Sequence, residues 1–433
     1  MRVALLTNFI APYRVPLLEA LHECIGDLRV LVCTRMERDR SWVVDWRSLD
    51  VVVQRTLTFR PQTRDMFGLP RWGEIHVPCD SLEQLRRWAP DVVISGELGA
   101  RSLQAAAYCA LRPEVPLLIW APLSEHIEKA WDGLRRWVRQ RIPRRADGVL
   151  VNGESGARYI RRFGLPDQRI FRINQPVDVD LFTPVPRQRP EASCVRLLYS
   201  GMLAEHKGLR HFATQITVWA RAHPSRSVEI WWLGDGALRP WLESQVLPGN
   251  LSQHFCGAVQ YGEVAGFYAQ CDTLVLPSLR DEWGLVVNEA LASGLPVLGS
   301  VYSQAVEELV EEGRTGWIFD PLSEASALTA LDRMFATTQA EMACMRDAAR
   351  QSVSALTPAS TARQHRPLHR LCHRRGGWRP PHHPRRPAIL NAALVSRALA
   401  GWRAIGGCAV SRGLHAVTAR RAARRDFGGW PVL

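Results

Sequence analysis

Twice along this chain, short apolar runs alternate with amphipathic helical ones, and a proline-rich break separates the two series. In the first series, strand-like runs lie at 3–6, 28–32, 91–94, 116–120 and 148–151. Helical periods fall near 14–24, 82–88, 101–111, 128–141 and 154–163. The break, Thr183-Pro-Val-Pro-Arg-Gln-Arg-Pro190, has the composition of a linker. The strand pattern resumes at 195–199 and continues through 228–233, 255, 273–276, 296–298 and 317–319. Alternation of this kind builds parallel sheets with helices on both faces, so the expected class is α/β with two doubly wound, Rossmann-like domains. The expected bounds are 1–182 for the first domain, 183–194 for the linker, 195–356 for the second domain and 357–433 for an anomalous tail. In such sheets ligands bind beyond the carboxyl ends of the strands.

The richest stretch is Ser278-Leu-Arg-Asp-Glu-Trp-Gly-Leu-Val-Val-Asn-Glu-Ala-Leu-Ala-Ser-Gly-Leu-Pro296, which follows a strand pattern and enters a helix pattern ending at Gly294. Asp281 and Glu289 stand eight residues apart across that junction, about 12 Å if helical. That span suits an extended sugar nucleotide, with hydroxyls at both ends and a diphosphate between. A helix start offers unpaired N–H groups and partial positive charge to the diphosphate. Carboxylates serve the ends, because they accept from hydroxyls.

On these residues the segment resembles the acidic-x7-acidic signature of retaining GT-B glycosyltransferases of the large family four. Glu289 matches the second acid. Asp281 stands where the family usually has Glu, with Glu282 beside it. The resemblance implies two facing domains, the donor in the second and the acceptor largely against the first. It implies retention of anomeric configuration, no obligatory metal or cofactor, and a nucleotide sugar such as a UDP- or GDP-hexose as donor. The implied catalytic set is Asp281, Lys207 and His126. The implied donor-binding set is Gly201, Lys207, Glu282, Gly284, Leu285, Val286 and Glu289.

Gly201-Met-Leu-Ala-Glu-His-Lys-Gly208 follows a strand and opens a helix. It is similar to the family's Gly-Arg-Leu-x-x-x-Lys-Gly loop, whose basic residues bind donor phosphates. Met202 replaces the usual Arg, so one cation of two is absent. Gly234-Asp-Gly236 reads equally as a tight turn or as a contact to the base. His126, after the run at 116–120, is the candidate first-domain histidine for the donor sugar; the other reading is a satisfied structural histidine. Pro12-Tyr-Arg14 follows the first strand in a version similar to polysaccharide-assembly members of the family. Arg14 either holds an acidic group of the acceptor or belongs to a helix start that merely packs. Asn174–Phe182 resembles the family's connector into the second domain.

The net charge of +13 is misleading. From Arg363 onward there are fifteen Arg, one Asp and no Lys or Glu, so the body is near neutral and offers no broad footprint for nucleic acid. Ten cysteines without metal-ligand spacing suit a reducing cytoplasm. The N-terminus lacks a signal-peptide pattern, and no apolar run is long enough to span a bilayer. Trp131, Leu134, Trp137, Val138 and Ile142, interleaved with arginines, form a stripe that either packs inward or lies on anionic lipid at the inner face of a membrane. After residue 357 the text shows no sheet or helix period. The family's bracing helix, expected near 358–375, is not recognisable there, and the tail reads as a frame-shifted or disordered basic arm. The expected function is transfer of a hexose to a saccharide or lipid-linked acceptor in surface-polysaccharide synthesis. The alternative is a catalytically degenerate, sugar-nucleotide-binding subunit.

Overall fold

The computed structural model describes residues 1–38, 42, 44–64, 70–72, 74–126, 133–182 and 194–364. The linker, Trp131 and the side chains of Leu134, Trp137 and Val138, of which the sequence raised expectations, lie outside the described residues. So does the tail beyond 364.

The first domain is a seven-stranded sheet. Its order is Ile170–Arg172, Gly148–Val151, Leu117–Ala121, Val92–Gly96, Val3–Thr7, Leu28–Val32, Asp50–Val53, with every pairing parallel. The order reverses between Val3–Thr7 and Val92–Gly96. Successive residues of a strand point to opposite faces, so Ala4 and Leu6 join one buried layer while Val3 and Leu5 join the other. This double burial is why the strands read as continuous apolar runs rather than alternating ones. The strands Asp50–Val53 and Ile170–Arg172 had no clear sequence signal, and neither did an antiparallel pair, Thr56–Phe59 with Ile75–Pro78.

The second domain is a six-stranded sheet ordered Leu251–Gly257, Ser227–Leu233, Cys194–Ser200, Thr273–Leu276, Val297–Ser300, Gly316–Phe319, also all parallel. Its reversal falls between Cys194–Ser200 and Thr273–Leu276. Val177 and Phe182 from the connector already pack in this domain's core.

The bracing helix is present, which corrects the sequence expectation. Pro358–Gln364 forms a helix that packs against Val15–Ile25 of the first domain, and its Ala362 sits in that domain's core. The start is capped reciprocally: Thr357 N donates to Ser360 Oγ at 3.1 Å and Ser360 N to Thr357 Oγ1 at 3.2 Å. Small side chains without apolar periodicity concealed it.

Candidate donor site at the second switch point

Two loops meet where the second sheet reverses. One follows Ser200 and runs through the turn Glu205–Lys207 into helix Leu209–Ala222. The other follows Leu276 and leads into helix Leu285–Ala292. Leu279 N donates to His206 O at 3.0 Å, stitching the loops together. Gly208, at φ 67, admits this closeness; a Cβ there would collide with the Pro277 carbonyl oxygen.

The stitch brings Lys207 and Asp281 into a partly buried ion pair, Nζ to Oδ2 at 2.6 Å. Ser278 Oγ also donates to Oδ2, at 3.3 Å. Burial pushes the Asp281 carboxyl up, but the charge and hydrogen bond of Lys207, with His206 and Ser278, outweigh it and hold the group below its ordinary value. Gly201 takes φ 143 at the start of the first loop, and Met202 offers its backbone carbonyl to Tyr199 OH at 2.8 Å.

Helix Leu285–Ala292 begins at Gly284, φ 102, with no side chain capping its first N–H groups. Leu285 and Val286 pack against the second domain's core. Glu289, one turn in, is only 6% exposed and accepts from Tyr268 OH at 2.8 Å. Desolvation pushes its carboxyl up to about 7, against the pull of that hydrogen bond. No sequence motif pointed to Tyr268.

Glu282 faces the first domain. Its side chain is exposed, yet protein on both sides desolvates the carboxyl, and Glu97 and Asp281 add repulsion, pushing it up to about 7. Water reaching it softens that rise. The first domain supplies Arg14, whose guanidinium lies 5.3 Å from the Trp120 ring centroid and whose charge acts on Glu282. Glu97, missed by sequence reading, follows the strand at the first switch point and accepts from Asn8 Nδ2 at 3.1 Å. The rule that ligands sit beyond strand ends was the signal that could have found it.

His126 is half-buried, its ring edge-on to Tyr302 of the second domain at 5.5 Å. Burial lowers its pKa, opposed by Glu125 and Glu307. The charges of Arg158 and Arg162 add to that lowering. In the basic helix Gly133–Arg145, Ile142 is in the core. Arg139 is half-buried, desolvated beside Tyr159, and feels the charges of Glu97 and Glu282. Among the described residues, no group of three or more His, Cys, Asp or Glu could hold a metal ion, and no helix is long and apolar enough to cross a membrane.

Two facing doubly wound domains, with a cation–carboxylate pair and a buried acid at the second switch point, define a GT-B architecture. The model for the glycosyl transferase 4-like domain matches residues 10–174, and that for glycosyl transferases group 1 matches 194–336. The chain belongs to the group 1 glycosyltransferases. It is 28% identical over 238 residues to a Mycobacterium tuberculosis glycogen synthase, covering 53% of this chain and 56% of the relative. It is 29% identical over 210 residues to the putative colanic acid biosynthesis glycosyltransferase WcaL of Escherichia coli, covering 44% and 47%. The chain thus spans about half the length of these curated relatives. Among solved structures, Anabaena HepE in complex with UDP superimposes with TM-score 0.64 at 15% identity, over 86% of this chain and 100% of that one.

Proposed function

We propose that this chain transfers a hexose from a nucleotide sugar to a hydroxyl acceptor with retention of configuration, in the assembly of a surface polysaccharide. The observation that carries the reading is the Lys207–Asp281 pair joining both switch-point loops. An entering donor exchanges that pair for its own groups: Lys207 and the open helix start take the diphosphate, and Asp281 takes hydroxyls of the sugar. Glu289 accepts from the ribose. The bond from the anomeric carbon to the diphosphate breaks, a bond to the acceptor oxygen forms on the same face, and the acceptor's proton passes to the departing phosphate oxygen. No protein base is required; fixed positive charge lowers the barrier. Support comes from WcaL on the polysaccharide side and from HepE, whose complexes hold UDP and UDP-glucose.

The test is a panel of UDP- and GDP-hexoses, read by thermal shift and by release of UDP or GDP without acceptor. Binding with slow release is expected for at least one donor. Binding with no release would favour the non-catalytic subunit, for which Met202 and Asp281 speak. Binding of none overturns the reading.

A further inference from the structure

The two domains are joined by polar side chains at an unusual place, the start of a helix. Helix Gln304–Leu309 of the second domain lies against helix Glu154–Arg161 of the first. Glu308 Oε1 accepts from Glu154 N at 2.5 Å, Gln304 Oε1 accepts from Gly156 N at 3.0 Å, and Arg158 Nη1 reaches Glu307 Oε1 at 2.8 Å. First-turn N–H groups have no acceptor within their own helix, so one domain caps a helix of the other. Gly153 leaves the room; a Cβ there would lie 2.8 Å from Glu308 Oε1.

Gln304 is fully buried and uses its other end as well. Its Nε2 donates to Leu123 O of the first domain at 3.1 Å and to Glu282 O of the donor loop at 2.6 Å. Asn152 Nδ2, at the end of the first-domain strand Gly148–Val151, donates to that same Glu282 carbonyl at 3.2 Å. The peptide just past Asp281 and Glu282 is therefore held by one amide from each domain.

We propose that Gln304 and Asn152 are positioning residues that align the Asp281–Glu282 loop only when the two helices are docked, so that engagement of the domains sets the donor site. This rests on the sugar-transfer reading but requires neither residue to touch substrate. Loss of the first-domain amide leaves the Glu282 carbonyl with Gln304 alone and loosens the loop even when the second domain is itself intact.

The test uses the full chain and the nucleotide hexose that passes the panel above. Gln304→Glu keeps the acceptor for Gly156 N but sets an oxygen against two carbonyls; Asn152→Ala removes the first-domain donor. Each is expected to lower kcat for donor hydrolysis by roughly 10- to 100-fold through misalignment, with UDP affinity by calorimetry within about threefold. Glu308→Gln, which keeps the shape, is expected to lower kcat by about two- to fivefold by weakening the charge at the helix start. Wild-type kcat in folded Asn152→Ala and Glu308→Gln, or equal losses of kcat and UDP affinity, overturns the proposal. If wild type binds no nucleotide, the sugar-transfer reading fails instead. Small-angle scattering then tests the docking directly: a larger radius of gyration in Gln304→Glu supports it, and an unchanged one refutes it.

Discussion

At the first domain's switch point a glutamate, Glu97, occupies left-handed backbone at φ 66, whereas the corresponding loops of the second domain use glycine at 201, 208 and 284. The contrast extends to side chains. Glu97 is 51% exposed and tied to Asn8 and Arg101, while Asp281 is 14% exposed and paired with Lys207. The second domain carries no side chain at its three glycine positions, which leaves its backbone N–H groups open to close approach; on the proposed function the partner is a diphosphate. The first domain accepts strain, of order 1–3 kcal/mol for a non-glycine residue in this region, to present a carboxylate. One switch point is built on glycine backbone, the other on a charged side chain.

The sharpest break of that comparison is Lys207→Ala. It removes the fixed cation of the second switch point and leaves Asp281 without its partner, so turnover of the nucleotide hexose is expected to fall by roughly 100- to 1000-fold. Arg14→Ala, on the acceptor side, is expected to leave donor hydrolysis within about threefold while changing transfer to acceptor. Steady-state rates with and without acceptor read both. Equal losses of hydrolysis in the two variants would dissolve the division of labour. Next comes Gly208→Ala. Left-handed backbone and the collision with the Pro277 carbonyl are expected to cost roughly 2–4 kcal/mol by denaturant unfolding, the loops having to part.

Glu289 gives a pH test. Its carboxyl is pushed up to about 7 in the folded chain, above an unfolded value of about 4.3. The native state therefore binds more protons between those values, and stability falls as pH rises through that window. Glu289→Gln removes the titration while keeping an acceptor for Tyr268. Relative to wild type, it is expected to gain on the order of 3 kcal/mol between pH 4 and pH 8. Asp281 acts in the opposite sense, its lowered pKa adding stability that is lost on acidification. Parallel urea curves for wild type and Glu289→Gln across that range would sink the assignment.

The same asymmetry governed how much could be read from sequence. Lys207, Asp281 and Glu289 lie on loops and a helix whose spacing is local, so motif resemblance singled them out and the strand patterns placed them beyond strand ends. Tyr268 meets Glu289 only through tertiary packing. Asn152 and Gln304 meet the Glu282 carbonyl from opposite domains, a relation no local period encodes. Both sheets were legible because strands buried on two faces read as apolar runs. Asp50–Val53 was not, since this edge strand leaves its side chains partly exposed, and Pro358–Gln364 was hidden by its small residues.

The smallest effect separates strain from chemistry at Glu97. Glu97→Ala and Glu97→Gly both delete the carboxylate and its contacts with Asn8 and Arg101, so those losses cancel between them. Only alanine keeps a Cβ in left-handed backbone. The glycine variant is therefore expected to be the more stable of the two by about 1 kcal/mol, seen as a shift in urea midpoint at constant m-value. If alanine matched glycine, the backbone at Glu97 would be unstrained, and the contrast between a glutamate-bearing first switch point and a glycine-built second one would rest on side chains alone.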